Sequence, residues 1–174
     1  MKKRHGAFEA SFARLFDERF GSLYRYLDRL SGDPDLAEDL AQEAFVRLHK
    51  RGEIPNDARA WLVAVASNLF RDERRSVRRR QSLLARQPVE LTLGSPPPSP
   101  DDDAERGERK ISVRQALDRL SLRDREMLLL RHEGYSYREI SIALGVVESG
   151  VGTMLIRATE SFRAAFKEIG NALE

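Results

Sequence analysis

Ser136-Tyr-Arg-Glu-Ile-Ser-Ile-Ala-Leu-Gly-Val-Val-Glu-Ser-Gly-Val-Gly-Thr-Met-Leu155 is a segment in which several local signals agree. Ser136 with Glu139 three residues on is a capping box, which starts a helix by satisfying two otherwise orphaned amides. Ile140 and Leu144, four apart, give that helix an apolar edge. Gly145 ends it, because glycine takes left-handed backbone without a Cβ clash. Val146, Val151 and Leu155 then anchor a second helix beginning near Glu148, and small Ser141 lets that helix approach closely. Two short helices around a glycine turn make a helix-turn-helix, which holds its second helix proud of the fold, where it can enter a DNA major groove. The side chains expected to face DNA are Arg138, Val147, Glu148, Ser149, Gly152, Thr153, Ile156 and Arg157. A plain helical hairpin would not require cap, glycine and apolar spacing to coincide.

Working outward, the second helix should run to about Ile169. Upstream, Ser121 with Asp124 caps a helix that ends near Gly134, and another covers about Ile111 to Leu120. Before these lies Gly94-Ser-Pro-Pro-Pro-Ser-Pro-Asp-Asp-Asp-Ala-Glu-Arg-Gly107, in which clustered prolines and an acidic run oppose both helix and core. It is expected to be a flexible linker. The N-terminal part reads as helices again. Phe8, Phe12, Leu15, Phe16, Phe20, Leu23, Leu27 and Leu30 recur at helical spacing. Gly32-Asp33-Pro34 closes that helix and opens one reaching about Lys50. After Gly52 and Pro55 a third starts near Asn56 or Asp57 and runs to about Arg80. No strand pattern and no internal repeat stands out. The expectation is an all-α chain of two small helical domains, residues 1–81 and 111–174, joined by a Pro/Asp-rich linker at 82–110.

Two further stretches carry chemistry. Arg71-Asp-Glu-Arg-Arg-Ser-Val-Arg-Arg-Arg80 continues the third helix. At about 100° per residue, Ser67, Asn68, Arg71, Arg74, Arg75 and Arg78 share one arc, and Ala58, Trp61, Leu62, Val65, Ala66 and Leu69 the other. An isolated basic run is usually a solvated helix end. Adjoining an aromatic-anchored helix, in a chain with a helix-turn-helix, it points to phosphate binding, for which the guanidinium fork is suited. In the second helix Asp35, Glu38, Asp39, Gln42 and Glu43 line one side, opposite Leu36, Ala37, Leu40, Ala41, Ala44, Phe45 and Leu48. Taken alone, such an acidic stripe reads as a solvated face.

Composition narrows the classes. The chain has no cysteine, so disulfides, thiolate metal sites and cysteine nucleophiles are excluded. Its three histidines, His5, His49 and His132, are scattered, and no Ser/His/Asp set, metal-ligand cluster or cofactor motif is expected. Gly145 and Gly150 have phosphate-loop spacing, but Val151-Gly152 stands where Lys-Ser/Thr is required. The most apolar run, Ala60 to Ala66, is far too short to cross a bilayer, and the basic start Met1-Lys-Lys-Arg-His5 is not followed by a signal-peptide core. A cytoplasmic protein without membrane insertion is expected. Net charge is +2, placed unevenly: residues 1–81 hold 17 Lys and Arg against 13 Asp and Glu, whereas 111–174 balance at 9 against 9. A polyanion would therefore be met by a local patch.

Ala37-Glu-Asp-Leu-Ala-Gln-Glu-Ala-Phe-Val-Arg-Leu48 resembles the core-polymerase-binding helix of the sigma-70 family, in its extracytoplasmic-function (ECF) group. Arg59-Ala-Trp-Leu-Val-Ala-Val-Ala-Ser-Asn-Leu-Phe-Arg-Asp-Glu-Arg-Arg75 resembles that family's promoter-melting segment. Leu120-Ser-Leu-Arg-Asp-Arg-Glu-Met-Leu-Leu-Leu-Arg131 with the helix-turn-helix resembles its C-terminal domain. Order, spacing and linker position agree over nearly the whole chain. The resemblance implies an alternative sigma factor, not an enzyme, with core RNA polymerase and promoter DNA, duplex and melted, as partners.

In that scheme Asp35, Glu38, Asp39, Gln42 and Glu43 dock polymerase. Asn68, Arg71, Asp72, Arg74, Arg75, Arg78 and Arg79 serve the minus-10 element, and the helix-turn-helix reads the minus-35 element. The linker would thread toward the RNA exit path. Proteins of this group are commonly held by an anti-sigma factor, and no residue here singles one out. The chain departs from the family at the recognition helix, which often carries Lys or Arg on its DNA side. Here the matching positions include Gly152, Met154 and Ile156, leaving either apolar contact with thymine methyls or a weak minus-35 contact. A helix-turn-helix repressor or activator is the alternative reading. It would have no use for the N-terminal half.

Overall fold

The computed structural model describes residues 2–84 and 104–171. They form seven helices, with no strand among the described residues: α1 (Lys2–Ser31), α2 (Pro34–Arg51), α3 (Ala58–Leu84), α4 (Ala104–Arg119), α5 (Leu122–His132), α6 (Tyr137–Leu144) and α7 (Glu148–Asn171). The chain divides into two compact units, Met1–Ser95 and Pro96–Glu174.

In the first unit α1, α2 and α3 pack on one another. Gly32, at φ 72°, turns the chain out of α1. The Asp33 carboxylate then accepts from the amides of Asp35 and Leu36, both at 3.1 Å, and Pro34 takes the first helical position, where a missing N–H costs nothing. Gly52 closes α2 at φ 73°. The Asp57 side chain accepts from the Ala60 amide at 3.1 Å and so opens α3. The core is a layer of Leu23, Leu27, Leu30, Leu40, Phe45, Leu48, Leu62, Val63 and Phe70, with Ala37, Ala41, Ala44, Ala60 and Ala66 letting the helices close in. Toward the start of α1, Phe12, Phe16 and Phe20 surround Phe45 at centroid distances of 6.1, 4.9 and 6.1 Å. Each such pair adds about 0.5–1.5 kcal/mol to simple area burial.

Three details differ from the sequence-based expectation. Ser67, which shares the arginine arc at about 100° per residue, is fully buried and bonds the equally buried Tyr26 hydroxyl at 2.9 Å. The core face of α3 follows Ala60, Val63, Ala66, Ser67 and Phe70, while Trp61, Val65 and Leu69 are only half-buried. The partner hydroxyl on α1 makes a serine acceptable inside, since a buried polar group must be bonded. Third, helix enters the expected linker from both sides, at residues 82–84 and 104–110. Ala104-Glu-Arg-Gly-Glu-Arg-Lys110 is mostly strong helix formers once the prolines are passed. The rest of that linker, residues 85–103, lies outside the described residues.

In the second unit α4 packs on α7, α5 on α6 and α7, and α6 on α7. Ser121 caps α5: its hydroxyl accepts from the Asp124 amide at 3.2 Å and donates to the Asp124 carboxylate at 2.6 Å. Arg125 ties α5 back to α4, donating to the Leu117 carbonyl at 2.9 Å and pairing with Asp118 at 2.8 Å. The core comprises Ala116, Leu117, Leu120, Met127, Leu129, Leu130, Tyr135, Ile140, Ala143, Leu144, Val151, Leu155, Ala158 and Ile169. Both halves of the capping box are present. The Glu139 amide donates to the Ser136 hydroxyl at 3.2 Å, and the Ser136 amide to the Glu139 carboxylate at 2.7 Å. Gly145 ends α6 at φ 63°, and α7 leaves at 89° to α6.

No single described helix is long and apolar enough to cross a membrane. The α6–α7 pair reaches such a length only across its 89° bend.

Candidate functional site

The expected acidic face forms as a continuous strip on α2. Asp35, Glu38, Asp39 and Gln42 are exposed and Glu43 is half-buried, on the side away from Ala37, Leu40, Ala41, Ala44, Phe45 and Leu48. The strip is braced along the helix. Gln42 donates its amide to Glu38 at 3.0 Å, and Arg47 donates to Glu43 at 2.9 Å. Bonds of this exposed kind add only a few tenths of a kcal/mol to stability. Their consequence is orientation: a row of carboxylate and amide acceptors is presented outward from a rigid helix. Val46, 43% exposed, extends the strip by one turn and was not singled out by sequence reasoning. It lies three and four residues beyond Glu43 and Gln42, an apolar side chain on the polar side, and that spacing was the signal available. Beside it Phe12, Phe16, Phe45 and His49 floor a shallow groove of about 400 Å³.

The arginine segment is the end of α3 that has left the core. From Arg71 to Ser82 no side chain is fully buried. Asn68, Asp72, Arg75, Arg78 and Arg79 are exposed, and Arg71 and Arg74 half-buried. Arg71 donates to the Asn68 side-chain oxygen Oδ1 at 3.0 Å, Arg75 pairs with Asp72 at 3.2 Å, and Arg80 pairs with Glu73 at 2.8 Å. The Arg74 guanidinium lies 5.9 Å from the centre of the Phe70 ring, an arrangement that steadies the cation. Asp72 and Glu73 thus each pair with one arginine of a stretch that holds six, and the residues expected to serve the minus-10 element do share one helix.

In the second unit the turn and the start of α7 stand clear of the core. Arg138, Val147, Glu148, Ser149, Thr153, Ile156 and Arg157 are exposed and Gly152 is half-buried. Val151, Leu155 and Ala158 face inward. Tyr137, at the first turn of α6, was not anticipated. It is exposed, its ring carries the Arg131 guanidinium at 5.5 Å, and its edge lies over Gly152, where a Cβ would sit 3.5 Å from the ring. An aromatic residue directly after a helix cap, next to an arginine expected to face DNA, was the available clue. Tyr137, Arg131 and Arg163 line a cleft of about 630 Å³ along the flank of α7. Among the described residues no cluster of three or more His, Cys, Asp or Glu could hold a metal ion.

These features coincide with the likeness to known proteins. Residues 15–80 match the family model Sigma-70 region 2, and residues 110–160 match Sigma-70, region 4. The chain is 34% identical over 170 residues to the ECF RNA polymerase sigma factor SigL of Mycobacterium tuberculosis, covering 94% of each. It is 30% identical to the ECF RNA polymerase sigma factor BldN of Streptomyces coelicolor over 87% of this chain and 58% of that one. With the ECF RNA polymerase sigma factor SigX of Bacillus subtilis it shares 28% over 89% of this chain and 83% of that one. The solved sigma factor RpoE of Bartonella quintana, in complex with the anti-sigma factor NepR, has the same fold, with a TM-score of 0.70 at 21% identity over 90% of this chain and 97% of that one. A three-helix unit ending in an arginine stripe, a second unit with a helix-turn-helix, and a relative matched over 94% of both chains make this chain a member of the sigma-70 family, in its ECF group of alternative sigma factors.

Proposed function

We propose that the chain binds core RNA polymerase, directs it to a promoter and helps to open that promoter. The observation that carries this is the separation of three chemically distinct surfaces: an acidic strip on α2, an arginine-bearing end of α3 outside the core, and a projecting α7 in a second unit. Asp35, Glu38, Asp39, Gln42 and Glu43 are assigned to polymerase, with Val46 supplying apolar contact. Asn68, Arg71, Asp72, Arg74, Arg75, Arg78 and Arg79 are assigned to the minus-10 element. A base must leave the stack before its edge can be read, at a cost of a few kcal/mol, and arginines on the flanking phosphates offset part of that cost. Arg138, Val147, Glu148, Ser149, Gly152, Thr153, Ile156 and Arg157 are assigned to duplex minus-35 DNA. The domain roles follow the expected boundaries, residues 1–81 for polymerase and minus-10 and residues 111–174 for minus-35. The protein performs no chemistry of its own and works in the cytoplasm, where polymerase is. An anti-sigma factor is proposed as a further partner, as in the complex of its structural neighbour.

The test is run-off transcription with purified core polymerase on fragments of the host genome, with and without this chain. Defined start sites that depend on the chain are expected. Core that initiates no more selectively with the chain than without it would refute the assignment. A helix-turn-helix regulator acting without core would instead shift duplex DNA by itself.

A further inference from the structure

We infer that α7 reads its duplex target by apolar contact with thymine methyl groups, with Val147 and Ile156 as the two probes. This rests on the minus-35 role proposed above and deepens it. Val147 is 75% exposed and Ile156 63% exposed, the two most exposed large apolar side chains among the described residues. None of the described residues covers them, although both sit on or beside a helix whose apolar residues Val151 and Leu155 are buried. Leaving two branched side chains in water has a cost, and the feature they suit is an apolar one at the surface that α7 meets.

Within the first two turns of α7 the usual alternative lacks a donor. In the first two turns of α7 the outward positions are Glu148, Ser149, Gly152 and Thr153, with Arg157 the first cation. The bidentate arginine contact to guanine therefore has no donor there. Glu148 at the helix start opposes a phosphate at that end, where an uncompensated helix N-terminus would otherwise attract one. Gly150 has open space around its Cα, so the backbone itself can come close to the base edges. In the major groove the only apolar group a base pair presents is the thymine C5 methyl. Phosphate attraction is left to the flank, where Arg131, held over Tyr137, and Arg163 stand beside the reading surface.

The spacing makes the inference specific. Val147 precedes α7 and Ile156 is its ninth residue. At 1.5 Å per residue the helix rises about 12 Å from its first residue to Ile156, with Val147 one residue before that start. That span covers about three to four base-pair steps at 3.4 Å each. The expected target therefore has thymines, on either strand, at two places separated by about that distance.

The experiment uses holoenzyme assembled from core polymerase and the full chain. Duplexes bearing a randomised upstream element are selected for binding, and each thymine of the selected element is then replaced by deoxyuridine. That replacement removes the methyl and leaves every hydrogen-bonding edge intact. Competition binding at fixed salt should show about a threefold to fivefold loss per contacted thymine, the effect of one buried methyl-sized group. Val147→Ala should abolish the uracil effect at one end of the element and Ile156→Ala at the other, with folding unaffected because both side chains are in solvent. A selected element that contains no thymine, or that binds equally well with uracil, would overturn the inference while leaving the sigma-factor assignment standing. Holoenzyme that selects no upstream sequence beyond core alone would overturn both.

Discussion

Replacing Ser136 with alanine should destabilise the second unit and leave the first untouched. The serine hydroxyl accepts from the Glu139 amide at 3.2 Å, and the Glu139 carboxylate accepts in return from the Ser136 amide at 2.7 Å. α6 is only eight residues long, so this box satisfies a large share of its exposed backbone donors. Loss of an N-cap hydroxyl costs about 1 kcal/mol, within a range of about 0.5–2. For a unit of this size that corresponds to a fall in Tm of about 4–8 °C per kcal/mol. The single tryptophan, Trp61, lies in the first unit, which separates the two signals. Far-UV circular dichroism records helix loss in both units, whereas Trp61 fluorescence follows the first alone. Ser136→Ala should shift the component of the dichroism melt that has no fluorescence counterpart, and Ser136→Thr should restore most of it. An unchanged melt would refute the weight given to the cap. A fluorescence midpoint that moves as far as the dichroism midpoint would refute the picture of two units with separate cores.

The Asp39→Ala, Gln42→Ala, Glu43→Ala triple variant should copurify with core polymerase at least about tenfold less well, a change of about 1.4 kcal/mol, with its melting curve unchanged. Undiminished copurification would place the contact elsewhere. Substituting Arg71, Arg74 and Arg75 with alanine should impair open-complex formation more on duplex than on pre-melted promoter. For every phosphate that is no longer neutralised, the slope of log affinity against log salt should become shallower by about 0.7–0.9. Equal impairment on both templates would indicate general affinity for DNA instead. Tyr26→Phe deprives the buried Ser67 hydroxyl of its 2.9 Å partner and should cost about 1–2 kcal/mol, read as a lower urea midpoint of Trp61 fluorescence. An unaltered midpoint would mean that the pair contributes nothing net.

The helix-turn-helix was legible because its determinants are local: a cap, a glycine with positive φ and an i, i+4 apolar pair act within ten residues of one another. The same holds for Asp33-Pro34 and Gly52 around α2 and for Ser121 before α5. Ser67 was misplaced because its environment is set by Tyr26, 41 residues away, and no pattern within α3 reveals that partner. The start of α4 was hidden by the prolines and aspartates before it, whose composition dominated a window in which residues 104–110 are, Gly107 apart, helix formers. Tyr137 and Val46 escaped notice for a third reason. Sequence periodicity finds the apolar residues that are buried, whereas these two are exposed.

The hydroxyl pair between α1 and α3 also acts as an azimuthal key for everything beyond it. Apolar faces tolerate some rotational play, but Tyr26 and Ser67 bond only when α3 sits at one angle about its own axis. Asn68 follows Ser67 directly, and the arginines follow without a break in the helix. One residue inserted between Ser67 and Asn68 would keep the key, the helix and most of the core, yet swing the whole cationic stub by about 100°. The direction in which this chain offers its arginines is thus fixed inside the bundle, by two neutral oxygens that never reach its surface.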